Sequence, residues 1–250
     1  MKCKLIKSFW GLIMKRRLLI FVLLILIASP FNFANALDRY GDEGDALSFH
    51  VNYVYRSEGK GELKPINNGD VLKSGDHFKI IFTPDKDCYV YIFQVDSSGQ
   101  IFKLFPMKSF MGVQVNNFNP VTKGTTYTLP SSEKAFMLDD QVGTERIYFI
   151  VSKERNKEIE RLDIERKEPI DRQKPNLDKN TQDKKIENAE DKLNKYFKRR
   201  GITVVPSGQP VRVQWQEGGD VFSVIGQKLE NLCEDCVHIL EFIHKDGRSN

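Results

Sequence analysis

Cys233 and Cys236 form a Cys-x-x-Cys pair, and His238 and His244 follow within the same twelve residues. Three chemistries are open to such a group. The first is a structural disulfide, which suits an oxidising compartment. The second is a redox-active pair like that of thioredoxin-like oxidoreductases. That chemistry sets the pair at a helix N-terminus, where the dipole lowers the thiol pKa. Here the pair is expected between a helix and a strand. Glu234 and Asp235 also disfavour a thiolate by like-charge repulsion. The third is zinc held by Cys233, Cys236, His238 and His244. Finger-type sites separate the Cys pair from the His pair by about a dozen residues. On a strand, His244 would lie about 20 Å from His238 at roughly 3.3 Å per residue. The disulfide is the preferred reading, and no metal is assigned. Cys88 is then the odd thiol of the body, and Cys3 lies near the N-terminus.

The other chemistry-bearing residues are scattered. Asp96, Asp139 and Asp140 could supply oxygens to calcium, but no Asp-x-Asp-x-Asp loop is present. Carboxylates at strand ends more simply accept backbone N–H bonds within turns. His50 and His77 stand alone, and chain order assembles no Ser–His–Asp set. No catalytic residue and no cofactor is therefore assigned, and the protein is read as a non-enzyme.

Charge and hydropathy say where the chain works. Lys15, Arg16 and Arg17 precede an unbroken apolar run of eleven residues, 18–28. A membrane-spanning helix needs roughly 20 such residues, whereas a signal-peptide core needs about 7–15. Ala34-Asn35-Ala36 supplies the small-x-small cleavage pattern, so the cut is expected after Ala36. Met14 is an alternative start to Met1, because the basic triplet follows it directly. The whole chain has 38 basic and 34 acidic residues, a net of +4. Residues 1–36 hold six of the basic residues and no acidic one, so the mature chain is slightly acidic. An exported, acidic body does not suit nucleic acid. Membrane contact is expected only through the transient signal.

Residues 37–152 read as a strand-rich body. Leu47, Phe49, Val51, Tyr53 and Tyr55 alternate with period two, as on a strand with one buried face. Further runs follow at 78–82, 89–95, 101–105, 125–129 and 145–151. Asp96 to Gly99 reads as a hairpin turn. Tyr89, Tyr91 and Phe93 share one strand face, and Val90 and Ile92 share the other. Apolar residues on both faces mark a central strand. Many short strands with turns between them predict an antiparallel sandwich of immunoglobulin-like plan.

Residues 153–200 form a charged insert with 16 basic and 12 acidic residues. Such a stretch cannot bury a core of its own. Ile186, Ala189, Leu193, Tyr196 and Phe197 fall at helical spacing, so an amphipathic helix is expected over 181–200, with Thr181 as its N-cap. A weaker helix is expected over 154–168. Lys198, Arg199 and Arg200 complement the helix C-terminus and are candidate partner contacts. Residues 201–250 are expected to complete the body with strands at 202–205, 211–215 and 237–243. Val221, Phe222, Ile225, Leu229 and Leu232 predict a short helix between them.

A string of short motifs carries a family resemblance. LKSGD at 72–76, YVYIFQVD at 89–96, Gly99, LFP at 104–106 and NP at 119–120 resemble the bacterial domain of unknown function 4384. So do Gly124, LP at 129–130 and GTE at 143–145. The resemblance covers about residues 70–152. Its carriers here include Gly75, Asp76, Tyr89, Tyr91, Asp96, Gly99, Phe105, Pro106, Asn119, Pro120, Pro130, Gly143 and Glu145. It implies a small β-rich accessory or binding domain and no catalytic residues. The expected function is an exported binding or scaffold module of the cell envelope with a protein partner. The alternative is an envelope thiol-disulfide oxidoreductase using Cys233 and Cys236.

Overall fold

The structure is a computed structural model describing residues 46–167, 179–200, 211–217, 220–232 and 235–247. The expected export signal, the strand at 202–205 and Cys233 lie outside the described residues. Among the described residues no helix is long and apolar enough to cross a membrane.

Two sheets face each other. The first runs in the order β10 (Phe136–Met137), β4 (His77–Pro84), β1 (Leu47–Arg56), β13 (Asp220–Leu232) and β12 (Val211–Glu217). Short strands β2 (Lys64–Pro65) and β9 (Tyr127–Leu129) pair with β1 and β4. The second sheet runs β3 (Val71–Lys73), β14 (Val237–Lys245), β11 (Gly143–Ser152), β5 (Tyr89–Val95) and β6 (Ile101–Phe105). A hairpin of β7 (Met107–Phe110) and β8 (Val113–Asn117) stands beside them. The fold is mainly β, as expected for a sandwich. One pair departs from the antiparallel plan: β3 lies parallel to β14.

Period-two patterning explains the layers. Leu47, Phe49, Val51 and Tyr53 of β1 project into the space between the sheets. Val90 and Ile92 of β5 meet them from the second sheet, with Ile147, Phe149 and Val151 of β11. The other faces of β5 and β11 carry Tyr91, Phe93, Tyr148 and Ile150, which belong to a separate cluster. Two helices cover that cluster: α1 (Lys157–Lys167) and α2 (Lys179–Arg200). Ile159 and Leu162 come from α1, and Leu193, Tyr196 and Phe197 from α2. The aromatic face of β5 is thus a packing surface between sheet and helices.

Asn156 caps α1 through a 3.0 Å bond from Ile159 N–H to its Oδ1. Its Nδ2 donates to Tyr196 Oη and to Asp235 Oδ1, both at 2.7 Å. One side chain therefore joins both helices and the β13–β14 turn. Helix α2 begins at Lys179, two residues before the expected Thr181 cap.

The short helix expected from Val221, Phe222, Ile225, Leu229 and Leu232 is instead strand β13. It pairs with β1 on one side and β12 on the other. The register against β1 shifts between Leu47↔Leu232 and Phe49↔Leu229. That bulge inserts one residue and resets the strand parity. Leu229 and Leu232 both reach the inter-sheet core as a result. Their three-residue spacing is a bulge signature that mimics helical periodicity.

Candidate functional site

Most family-motif residues build the scaffold. Gly75 and Gly99 both take a φ of 87° in turns. Asp96 Oδ1 accepts from Ser98 N–H, Ser98 Oγ and Gln100 N–H at 2.6–2.9 Å, closing the β5–β6 hairpin. Asp76 accepts from Glu58 N–H at 3.1 Å and Lys73 N–H at 2.9 Å. Asn119 acts as a strand edge in miniature: its Oδ1 accepts from Val90 N–H and its Nδ2 donates to Val90 O. Phe105 is core, and Pro106, Pro120 and Pro130 each follow a cis peptide bond. Tyr91 Oη accepts from Asn156 N–H and donates to Glu160 Oε1, each at 3.0 Å, while Tyr89 packs beside it.

Glu145 is different. Strand parity places it on the same face of β11 as Ile147, Phe149 and Val151, so its carboxylate enters the inter-sheet layer. It is 2% exposed. A carboxylate buried among apolar groups is costly without partners. Gln94 Nε2 donates to Oε2 at 2.9 Å. His244 Nδ1 stands 3.6 Å from Oε1, longer than a normal hydrogen bond. Gly143 makes the approach feasible. Its φ is 139°, and a Cβ there would sit 2.3 Å from Ser97 Cβ. Only glycine lets β11 start this close to the β5–β6 turn, which sets Glu145 beside Gln94.

His244 continues the row. Its Nε2 lies 3.0 Å from Ser74 Oγ, so Ser74, His244 and Glu145 form a serine–histidine–carboxylate sequence in space. Nucleophilic catalysis also needs N–H donors aimed at a developing oxyanion. The nearby amides are already used. Ser74 N–H donates to Lys245 O, Gly75 N–H to Leu138 O and Asp76 N–H to Lys73 O. The row is a polar pin between β3, β14 and β11.

The remaining sequence candidates do not join this site. Lys198 and Arg199 are exposed near the end of α2, which Arg200 terminates. In chain order the Cys-x-x-Cys pair falls between strands β13 and β14 and does not itself begin a helix, although Asn156 at the N-terminus of α1 bonds Asp235 between the two cysteines. Cys236 is buried and engaged, and Cys88 is a buried thiol. His238 and His244 are six residues apart on β14, both inward. Among the described residues no group of three His, Cys, Asp or Glu could hold a metal.

A cavity of about 270 Å³ opens beside Glu145 at one end of the sandwich. Its walls are Phe78, Phe102, Phe110, Phe136 and Met107, and its polar lining is Glu145, Gln94, Asp96, Asp139 and Lys103. Every lining residue falls between positions 78 and 145. Residues 71–155 match the family model of a domain of unknown function, DUF4384. No curated protein and no solved structure matches the chain. The matched segment thus lines this whole cavity by itself. Two other grooves borrow from outside it. One needs Ile159, Glu160, Asp163 and Ile164 of α1, and the other needs Arg56, Gly59 and Leu63.

Sequence reasoning named Glu145 as a motif residue and missed its role. The usable signal was parity, since Glu145 shares its strand face with Ile147, Phe149 and Val151. Gln94, Ser74 and the aromatic walls carry no local signal of this kind.

Burial pushes the Glu145 carboxyl above its ordinary range; the Gln94 bond and His244 oppose this, and nearby Asp96 adds to it. In the window above the ordinary range, the folded protein then holds a proton that the unfolded chain has lost. Stability therefore falls as pH rises through that window. Glu145→Gln keeps the shape and removes the ionisation. It is expected to stabilise the protein at pH 7 by about 1 kcal/mol and to flatten this decline. Thermal melts from pH 4 to 8 would show it. Parallel profiles for the two proteins would contradict it.

Proposed function

We propose that the protein is an exported, non-enzymatic binding module of the cell envelope, and that the cavity beside Glu145 is its ligand site. One observation carries this reading: a single segment encloses a cavity and turns a buried carboxylate toward it. An apolar pocket with a few convergent polar groups is the usual form of a binding site.

The basic triplet at 15–17, the apolar run at 18–28 and the small-x-small pattern at 34–36 support export to the envelope. A disulfide between Cys233 and Cys236 suits that compartment and would staple the β13–β14 turn. The oxidoreductase alternative draws less support, because Cys236 is buried and Glu234 and Asp235 disfavour a thiolate.

Photo-crosslinking in living cells tests the proposal. Crosslinkers at Phe102 and Met137, both exposed and lining the cavity, are expected to capture one discrete envelope protein. Exposed Glu158 on α1 serves as the control position. Adducts only from Lys198 or Arg199 would move the site to the helical arm. No adduct from any position would end the binding-module reading.

A further inference from the structure

The cavity's electrostatics are one-sided. Glu145, Asp96 and Asp139 line it against a single cation, Lys103. Lys103 Nζ is held at 2.6 Å by Asp163 of α1, which Arg166 shares at 2.9 Å, so the ammonium is drawn toward the helix. The deepest carboxylate is incompletely served. Glu145 Oε2 accepts from Gln94 at 2.9 Å, while Oε1 faces, among the described residues, His244 Nδ1 alone, at a long 3.6 Å. The remaining walls are phenylalanine, methionine and leucine side chains, which accept an alkyl stem, and the phenylalanine ring faces attract a cation.

The surroundings indicate what carries the cation. Strand β6 ends the second sheet and β10 ends the first. Phe102 of β6 and Met137 of β10 both line the cavity and are 39% and 62% exposed. The mouth therefore lies between two sheet edges. Such edges offer backbone groups to an extended polypeptide, and pockets beside them select its side chains.

We infer that the cavity takes a lysine side chain presented by an extended segment of the polypeptide partner, with Glu145 Oε1 receiving the ammonium. This rests on the cavity being the ligand site. Lysine fits better than arginine because one carboxylate oxygen is already committed to Gln94. A guanidinium fork binds best with both oxygens available, whereas an ammonium needs one. A volume of about 270 Å³ suits a single long side chain, with the four-carbon stem against Phe102, Phe110 and Phe136.

The test is a titration of the full mature protein followed by NMR. The probes are Nα-acetyl-lysine methylamide, its norleucine and arginine counterparts, and n-butylamine. The lysine amide is expected to shift the Gln94 side-chain and Gly143 signals. It should bind at least about tenfold more tightly than the norleucine amide, the size of a charge-assisted hydrogen bond. Glu145→Gln should remove that difference. Norleucine binding as tightly as lysine would overturn the cation assignment. Tighter arginine binding would overturn the single-oxygen argument. Butylamine matching the lysine amide would overturn the polypeptide source. Binding of none would overturn the inference, while the crosslinking result decides separately whether the cavity meets a partner. The comparison of probes on the unmutated protein stands whether or not the variant folds.

Discussion

Replacing Phe82 by alanine is expected to cost about 3–5 kcal/mol of folding stability. For a domain of this size the melting temperature should fall by roughly 6–20 °C. Phe82 is fully buried on β4. Its ring meets Phe49 of β1 at 6.4 Å, Phe105 of β6 at 5.5 Å and Phe149 of β11 at 5.4 Å. It also stacks on Tyr127 of β9 at 5.1 Å with an interplanar angle of 11°. Two of these neighbours belong to the first sheet or its short extension, and two to the second. Truncation thus removes the contact that joins the layers, beyond the transfer term of the lost ring. Phe82→Leu keeps most of the volume and should cost roughly 1.5 kcal/mol or less. Urea unfolding of both variants checks the ordering. A loss under about 1 kcal/mol for the alanine variant would mean that the aromatic cluster closes around the gap.

What the sequence revealed about this core depends on how local the signal is. Strands β1, β5 and β11 announce themselves, because Leu47, Phe49, Val51 and Tyr53 alternate within one segment. The stripe Ala189, Leu193, Tyr196 and Phe197 likewise defines α2 without reference to the rest of the chain. Strand β13 fails the same test, since a bulge opposite Leu47 and Phe49 changes its parity near its end. Bulges arise from pairing, and pairing partners lie far apart in sequence. The site was less legible for the same reason. Ser74 and His244 are separated by 170 positions, and no spacing rule connects them. Glu145 was legible as a residue on an apolar strand face. That the face points between two sheets, and not into solvent, depends on which layer covers it.

The layering also predicts how the protein comes apart. Phe197 is fully buried and stacks on Tyr148 at 4.5 Å, with Phe93 at 5.4 Å. These contacts belong to the helix-facing cluster, which is separate from the inter-sheet core. Helix α2 is 22 residues long and strongly polar outside its stripe. A helix of this composition is marginal alone in water, so docking holds it together. Phe197→Ala should cost about 3–5 kcal/mol of that docking. Because the inter-sheet core is untouched, the loss should be local. Amide exchange in α2 is expected to accelerate roughly a hundredfold or more, while β1 and β4 keep their protection. The undocked sheet would expose Tyr91, Phe93 and Tyr148 as an apolar patch, raising the tendency to associate. The cavity beside Glu145 should survive, since its walls come from residues 78–145 and its main dependence on the helices is the Lys103–Asp163 pair. Uniform acceleration across both sheets would show instead that helices and sandwich unfold as one unit, and the charged insert would then be integral to the fold that holds Glu145 in place.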